Sequence, residues 1–484
     1  MLRIRWGMRF FSKRNLMIKF IVISIFLGLW LGMMIYGRQM SLPAGISMLG
    51  HEYRVRDVAF FYDVTFKKGE AIVREQQIFD RILTVIDQAQ RFVLLDMFLV
   101  NSEYDRGPEY PQLAARLVAK LIDKKLKNPA LDIVLISDEI NTHYGSAQSV
   151  YFNKLKEHGI AVIITDNTRL RDSNFIYSAL WRLLGQGLSP QGHGWLPSPF
   201  SKNGEKMTLS AYLRLLNFKA NHRKLVASEK TLLVTSANPH DASAHHSNIA
   251  FVVDGPIVAD AVAGERAVAR FSATDLPSLQ VAAGEGQGEI AVRLISEGKI
   301  KARLLAALAG CGPKSVVKMA MFYLSEQEVV KALISAAERG AEIRLLLDPN
   351  KDAFGRQRNG IPNRPIANYL VKNGRGNIQV RWYATHGEQF HSKLTLISMP
   401  EQAVIIGGSA NLTRRNIADL NLESCLEIKA RSSAKVVAEV DHYFDRLWQN
   451  LDGEYSLPFA DFEDTSLLRY RLALFCEWSG ISTF

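Results

Sequence analysis

The pattern of hydrophobic and polar positions predicts two α/β units with the same order of parts. In the first half, residues 76–90 have the apolar spacing of a helix and lead into residues 92–100, an apolar run typical of a buried strand. Because strands then alternate with helices in both halves, the pattern indicates parallel sheets covered by helices. The further predicted elements are helices over residues 112–127 and 299–308, and strands over residues 133–138, 160–165, 316–324, 343–348 and 378–383.

These elements divide the chain into three parts: a basic N-terminus with a membrane anchor (1–45), a first unit (46–285), and a second unit with a C-terminal tail (286–484). The Ala- and Gly-rich residues 281–288 suit a connector between the units. The first unit has an insertion at about residues 166–215, whose aromatic and basic side chains suit either a lipid interface or packing over a sheet edge. Residues 467–478 have helical apolar spacing and could dock either on the core or on a membrane.

A membrane anchor is predicted because an uncharged run, residues 20–36, follows a basic N-terminus. A helix of this length extends about 25 Å, close to the lower limit for spanning a bilayer. A cleaved signal peptide has a similar pattern, but the run is longer than usual and no A-x-A site follows closely, which favours an uncleaved anchor. Since only Arg38 lies just beyond the run, charge bias predicts a cytoplasmic N-terminus and an extracytoplasmic body. The basic residues before it are Arg3, Arg5, Arg9, Lys13, Arg14 and Lys19.

Each half also contains a His-x-Lys tripeptide, followed by a second strand that ends in Ser-Ala-Asn. Residues two apart in an extended strand face the same side, so the His and Lys of each pair project together. One such tripeptide is common by chance, whereas two copies at corresponding places in a duplicated framework predict one shared site. The residues concerned are His222, Lys224, Ser236 and Asn238 in the first half, and His391, Lys393, Ser409 and Asn411 in the second.

This set of side chains suits the transfer of a phosphodiester group. One neutral imidazole can attack phosphorus, while a second, protonated imidazole releases the leaving oxygen. Two ammonium groups and two amides can neutralise and orient the non-bridging oxygens. Because the lysines supply positive charge, the predicted chemistry requires neither a metal nor another cofactor.

The two motifs resemble the paired His-x-Lys-x4-Asp signatures of the phospholipase D superfamily, whose bacterial members include cardiolipin synthases. The resemblance extends over about residues 75–450 and includes the dipeptides Met-Phe at 97–98 and 321–322 and the loop 360–368. It implies that His222 is the nucleophile of a phosphohistidine intermediate, and that His391 is the acid and then the base. It further implies that Glu423 orients a catalytic histidine, and that the lysines, serines and asparagines of the two motifs bind the phosphate.

Two departures from the family pattern concern its aspartate. Glu229 occupies that place in the first motif, a longer carboxylate of the same charge. Ser398 occupies it in the second motif and cannot supply a charge, so the second motif is expected to be slower or differently supported. The single predicted span also differs from cardiolipin synthases that carry two N-terminal spans.

Composition narrows the classes of partner and site. The formal net charge of +11 favours polyanionic partners, such as anionic lipid headgroups or nucleic acid. Three widely spaced cysteines exclude a disulfide framework and a Cys-rich zinc site. The cluster of His240, His245 and His246 lacks a recognisable set of metal ligands and is interpreted as surrounding the site or lying on the surface.

Three functions remain open from the sequence. The favoured one is a membrane-anchored phospholipase D or cardiolipin synthase-like phosphatidyltransferase, acting on phospholipids with water, an alcohol or phosphatidylglycerol as acceptor. The alternative is an extracytoplasmic nuclease, for which the basic residues of the loop before the second motif would bind the polyanion. A third is a scaffold whose site has decayed, for which Ser398 is the one hint. The basic loop residues are Lys351, Arg356, Arg358 and Arg364.

Overall fold

The structure is a computed structural model that describes residues 3–103, 109–201, 204–282, 287–353, 356–482 and 484. The strands, in chain order, are β1 (Tyr53–Val55), β2 (Ala59–Lys68), β3 (Ala71–Glu75), β4 (Phe92–Met97), β5 (Asp132–Ser137), β6 (Ala161–Ile164), β7 (Lys224–Ser228), β8 (Thr231–Thr235), β9 (Asn248–Asp254), β10 (Ile290–Ser296), β11 (Val316–Met321), β12 (Glu342–Leu347), β13 (Asp352–Ala353), β14 (Arg356–Gln357), β15 (Ile378–Tyr383), β16 (Lys393–Ser398), β17 (Gln402–Gly408), β18 (Ser424–Arg431) and β19 (Ser456–Pro458). The α-helices are α1 (Arg3–Gln39), α2 (Ile78–Gln88), α3 (Leu113–Lys127), α4 (Val150–Glu157), α5 (Phe175–Leu184), α6 (Leu209–Leu215), α7 (Val258–Phe271), α8 (Gly298–Ala309), α9 (Gln327–Glu338), α10 (Asn363–Asn373), α11 (Arg414–Ile417), α12 (Lys435–Gln449) and α13 (Leu467–Ser479).

Two large mixed sheets, one for each half, organise these elements. The first has the strand order β3-β2-β9-β8-β7-β4-β5-β6, and the second β1-β10-β18-β17-β16-β11-β12-β15-β19. The His-x-Lys strands have equivalent registers, because Lys224 of β7 pairs with Met97 and Lys393 of β16 pairs with Met321. The predicted duplicated α/β architecture is therefore confirmed.

The expectation of parallel sheets is correct only for part of each sheet. Strands β4, β5 and β6 are parallel, as are β11, β12 and β15. Strands β7 and β16 instead run antiparallel to their neighbours β4 and β11. Short hairpin connections also make β8 antiparallel to β7 and β17 antiparallel to β16, so the part of each sheet beyond β4 or β11 is antiparallel.

The two halves share an apolar core between their sheets. Phe251 of β9, Leu394 of β16 and Leu426 of β18 are all buried in it. A Cβ atom on Gly407 would lie 2.7 Å from the Phe251 ring, so glycine permits the close approach of β17 to β9. Two further cores lie on the outer faces, beneath α2 to α4 and beneath α8 to α10. Burial between the sheets fixes the relative position of the two His-x-Lys strands.

The N-terminal part of the chain contacts both halves. Asn15–Gln39 of α1 is long and apolar enough to cross a membrane, and the C-terminal end of α1 packs against α5 of the predicted insertion. The segment after it adds β1 to the edge of the second sheet, beside β10, although its sequence lies in the predicted first unit. Of the predicted connector 281–288, residues 283–286 lie outside the described residues.

Candidate active site

The structure brings the two His-x-Lys motifs together through contacts that cross between the halves. The backbone N–H of His222 donates to the carbonyl of Leu422 (2.9 Å), and Ser247 forms a parallel bridge with Phe390. His222 contacts Glu423 of the second half and His391 contacts Asn248 of the first half, so the two motifs share one site. The predicted convergence of the motifs is therefore observed in the geometry.

Equivalent aspartates fix the start of each motif. The Asp138 carboxylate accepts a hydrogen bond from the N–H of Asn221 (2.7 Å), the residue before His222. The Asp348 carboxylate accepts one from the N–H of Phe390 (2.8 Å), the residue before His391. Because both aspartates follow the strand next to β4 or β11, the duplicated framework positions both histidines in the same way.

The two lysines also have matching positions. Each Nζ donates to the carbonyl of the histidine two residues earlier, at 2.8 Å in both halves. Lys224 lies 5.0 Å from the ring centre of Phe98, and Lys393 lies 5.1 Å from that of Phe322. An ammonium group has three N–H donors, and the carbonyl takes one of them. The remaining donors can serve an anionic ligand.

The asparagines of the Ser-Ala-Asn segments add unused polar capacity. Within the described part of the chain, neither the buried Oδ1 of Asn238 nor that of Asn411 has a hydrogen-bond partner. Buried polar atoms are normally paired, so each Oδ1 can accept a hydrogen bond from a donor group of a ligand. The neighbouring serines have internal roles: Ser236 donates to Asn248 (3.0 Å), and Ser409 donates to Glu423.

A carboxylate supports the first histidine. Glu423 Oε1 lies 2.8 Å from His222 Nδ1, and the buried Glu423 also accepts from Ser409 and Asn416. A carboxylate at Nδ1 holds that nitrogen as N–H and leaves Nε2 with the lone pair. The contact predicted from the family resemblance is present, and it links the two halves.

An amide supports the second histidine. His391 Nδ1 lies 3.1 Å from Asn248 Oδ1, which also accepts from Ser236. The sequence motifs did not identify Asn248 as a site residue. A signal was available, because Asn248 follows Asn238 at nearly the spacing by which Glu423 follows Asn411.

Comparison with known proteins identifies a family match in the second half of the chain. Residues 305–448 match a family model described as cardiolipin synthase, PLD-like domain. This part of the chain is a phospholipase D-like domain. The resemblance predicted from the paired motifs is thus confirmed. The chain matches no curated protein sequence.

One solved structure shows the same fold over most of the chain, and two others are less similar. Phosphatidylserine synthase from Haemophilus influenzae Rd KW20 is 10% identical with a TM-score of 0.54, and the match covers 89% of this chain and 96% of that one. Polyphosphate kinase from Porphyromonas gingivalis is 11% identical, with a TM-score of 0.46 and coverage of 88% and 54%. Nuc from Salmonella typhimurium, a phospholipase D family member, is 18% identical, with a TM-score of 0.27 and coverage of 34% and 98%.

Burial makes this candidate site electrostatically unusual. It lowers the pKa of His222 to about 4, although the Glu423 carboxylate acts in the opposite direction. Burial likewise lowers the pKa of Lys224 to about 7. The pKa values of His391 and Lys393 are held well below their usual range, first by burial and then by neighbouring cations. An anion among these groups would oppose all four shifts, so the site favours a negatively charged ligand.

The middle residues of the two motifs differ. The Arg223 guanidinium is buried and lies 2.8 Å from carboxylate oxygens of both Glu265 and Glu297. Glu297 Oε1 also accepts the backbone N–H of Glu423 (2.9 Å). In the second motif, the Ser392 hydroxyl has a simple hydroxyl contact with Tyr443 (3.0 Å). The charged network of Arg223, Glu265 and Glu297 therefore lies beneath His222 and Glu423.

The two positions that depart from the family aspartate lie away from the histidines. Glu229 lies beyond the far end of β7, about 16 Å along the strand from Lys224, where its carboxylate accepts from the N–H groups of Gln90 and Arg91. Ser398 ends β16 and pairs with Val316. Both residues therefore contact neighbouring backbone at the end of the strand and not the histidines.

Of the three clustered histidines, His246 lies closest to the chemistry. Its ring centre is 5.8 Å from that of His391, and its Nδ1 accepts the N–H of Gln389 (3.2 Å). His240 Nδ1 contacts the Ser243 hydroxyl at 3.0 Å, and His245 packs against Tyr110. Among the described residues, no group of three or more His, Cys, Asp and Glu side chains could hold a metal ion.

Proposed function

We propose that this protein is a membrane-anchored phosphatidyltransferase or phospholipase that acts through a phosphohistidine intermediate. The observation that carries the proposal is the pair of contacts across the halves, His222 with Glu423 and His391 with Asn248. The lysine of each motif is buried beside them. The match to a cardiolipin synthase-type domain and the fold shared with a phosphatidylserine synthase support a phospholipid as substrate.

In the first step, His222 Nε2 attacks the phosphorus of the phosphodiester. A P–N bond forms and the bond from phosphorus to the leaving oxygen breaks, while His391 donates its Nε2 proton to that oxygen. Glu423 stabilises the positive charge that develops on His222. Lys224 and Lys393 bind the non-bridging oxygens, and Asn238 and Asn411 help to orient the group.

In the second step, His391 removes a proton from water or from an alcohol acceptor such as phosphatidylglycerol. The resulting oxygen attacks phosphorus, the P–N bond breaks, and His222 returns to its neutral state. The chemistry of hydrolysis and of transfer is the same, and only the acceptor differs. Binding of the anionic diester raises the pKa of His391, which gives it the proton that the first step consumes.

The membrane part of the proposal rests on α1. Its stretch Asn15–Gln39 is exposed to the surroundings and apolar, and the helix joins the body through defined contacts at its end. Trp30 Nε1 donates to the carbonyl of Ile176 (3.0 Å), and the N–H of Asp172 donates to the carbonyl of Gly37 (2.9 Å). These contacts would hold the site at a fixed height relative to the bilayer.

The test is lipid turnover by full-length protein in mixed liposomes of phosphatidylglycerol and phosphatidylethanolamine, with and without a primary alcohol. We expect wild-type product and an alcohol adduct if the protein is a transferase, and no product from His222→Ala or His391→Ala. His158→Ala is the matched control, because His158 lies on the exposed end of α4 and should leave turnover unchanged. Cleavage of single-stranded oligonucleotides without lipid turnover would replace this proposal with the nuclease function.

A further inference from the structure

Helix α13, Leu467–Ser479, has one face that is part of the protein core. Tyr470 stacks on Tyr369 of α10 with ring centres 5.0 Å apart, and Ala473 is buried. The buried Glu477 accepts hydrogen bonds from the Ser325 hydroxyl (2.9 Å) and the backbone N–H of Arg414 (2.6 Å). This face fixes the orientation of the helix.

The opposite face exposes large apolar side chains. Leu468 is 77% exposed and Trp478 is 51% exposed, and the members of this face recur at helical spacing. Such a concentration of exposed apolar side chains on one helix marks a contact surface. This surface, named here the α13 apolar face, consists of Leu467, Leu468, Leu472, Phe475 and Trp478.

The α13 apolar face lies beside the point where α1 joins the body. The Phe175 ring of α5 lies 4.6 Å from the guanidinium of Arg38 at the end of α1. The same ring packs edge-on against Trp478 of α13, with centres 5.2 Å apart. One side chain thus connects the last turn of the apolar helix to the α13 apolar face.

From this position we infer that α13 is a second membrane contact. Its apolar face would lie in the surface of the bilayer, on the side where α1 leaves the membrane. The inference rests on the anchoring proposed for α1. A bilayer is the partner that fits the α13 apolar face, because this face adjoins the apolar helix α1. The face also carries the exposed Arg471 among leucines and aromatic rings. Interfacial helices combine apolar, aromatic and basic residues in this way.

Buried aromatic contacts lead from the core face of α13, where Ala473 packs in one cluster with Phe484, to the proposed site. The C-terminal Phe484 lies 6.0 Å from Tyr323, whose ring centre is 3.9 Å from that of Phe322. Phe322 in turn lies 5.3 Å from His391. The core face of α13 is thus connected to the second histidine through packed side chains.

The experiment measures the depth of single nitroxide labels on the full-length protein in phosphatidylglycerol-containing liposomes. Labels would be placed by Leu468→Cys, Leu472→Cys or Phe475→Cys, in a background with Cys476→Ser because Cys476 is partly exposed. Leu29→Cys on α1 is the reference for the bilayer, and Leu126→Cys on α3 is the matched exposed control in water; both positions are more than half exposed. The readout is collision with oxygen, which concentrates in lipid, against a water-soluble nickel complex.

We expect all three α13 labels to collide with oxygen in preference to nickel, as the α1 label does, and the α3 label to show the reverse. An α1 label in lipid with α13 labels open to nickel would overturn this inference and leave the anchor intact. An α1 label open to nickel would overturn the anchor and the inference together. Labels on α13 that meet neither reagent would show that protein covers the face, which also overturns the inference.

Discussion

The two His-x-Lys motifs share a backbone setting but differ in their polar partners. In both halves an aspartate binds the N–H before the histidine, and the lysine amine contacts the histidine carbonyl and an aromatic ring. The partner of Nδ1, however, is the Glu423 carboxylate for His222 and the Asn248 amide for His391. The backbone contacts of the two motifs are symmetric, whereas the charges next to the two histidines are not.

We propose that this difference corresponds to different catalytic roles for the two histidines, a division of labour. A carboxylate stabilises the cationic form of its histidine, which a nucleophile becomes when it bonds to phosphorus. An amide orients the ring without adding charge, so the His391 proton remains easy to transfer. The charged network of Arg223 lies on the same side as Glu423, through Glu297, and adds to the contrast.

Removing each histidine should separate the two roles and produce the largest effect. Loss of an acid–base group costs roughly 10²–10⁴-fold in rate, and loss of the nucleophile should cost at least as much. With a p-nitrophenyl phosphodiester, whose leaving group needs no proton, His391→Ala should still form the covalent intermediate and then stall. The P–N bond is acid-labile, so the protein should be quenched in alkaline denaturant. Mass spectrometry should then find the phosphoryl ester group on His222 in that variant.

The same experiment can reverse the assignment. His222→Ala should carry no covalent phosphoryl group with the p-nitrophenyl phosphodiester or with a phospholipid. Phosphate on His391 in His222→Ala would mean that the nucleophile is the histidine supported by the amide, and the proposed division of labour would be wrong.

The next largest contrast concerns stability. Arg223→Met leaves the buried Glu265 and Glu297 without their shared cation, and breaking a buried pair in this way costs about 3–5 kcal/mol. Tyr443→Phe removes only one hydroxyl contact to Ser392, worth about 1 kcal/mol. Urea unfolding of the detergent-solubilised protein, followed by fluorescence, measures both. Equal losses would show that the network adds nothing beyond a neutral hydrogen bond.

The sequence predicted the parts of the site that depend on local pattern. The motif residues could be found because strand periodicity and two copies of His-x-Lys and Ser-Ala-Asn are visible in the sequence. The bounds of β15 agree with the predicted strand over residues 378–383. The order of helices and strands follows from the same local signals.

The parts that depend on distant contacts could not be predicted. Nothing near Arg223 in sequence identifies Glu265 or Glu297 as its partners, since only tertiary packing brings them together. The pairing of β1 with the second sheet is also non-local, because β1 lies far from β10 along the chain. For α13 the sequence left core and membrane as alternatives, and the structure has one face in the core.

The Nδ1 partners provide a narrower test of the histidine roles. Glu423→Gln removes the charge that stabilises the cation of His222 and should lower kcat about a hundredfold. Asn248→Asp should cost less than about tenfold, because a carboxylate can still accept from both Ser236 and His391 Nδ1. Steady-state turnover of the two variants in liposomes tests this order. If Asn248→Asp were the more damaging, His391 would be the histidine whose charge state is more tightly set.

The smallest effect is on the pH dependence of kcat/KM, which reports the pKa values of ionisable groups in the free enzyme. His222 must be neutral to attack, and its pKa is about 4, so activity should fall by about tenfold per pH unit below that value. His391 must be protonated to release the leaving oxygen, and its pKa lies well below the usual range, so activity should already fall as the pH rises from acidic values. Lys224 must be protonated to bind phosphate, and its pKa is about 7, so the fall should become steeper above that value. Burial is the main cause of all three shifts.

Glu423→Gln connects this pH profile to the comparison of the two halves. The Glu423 carboxylate partly offsets the effect of burial and raises the pKa of His222. Without it, the acidic limb should therefore move to lower pH, even though the maximal rate falls. Asn248→Asp should leave that limb in place, because Asn248 contacts the other histidine. An acidic limb that moved in Asn248→Asp and not in Glu423→Gln would assign the limb to His391, and the nucleophile would then have to be sought in the second half.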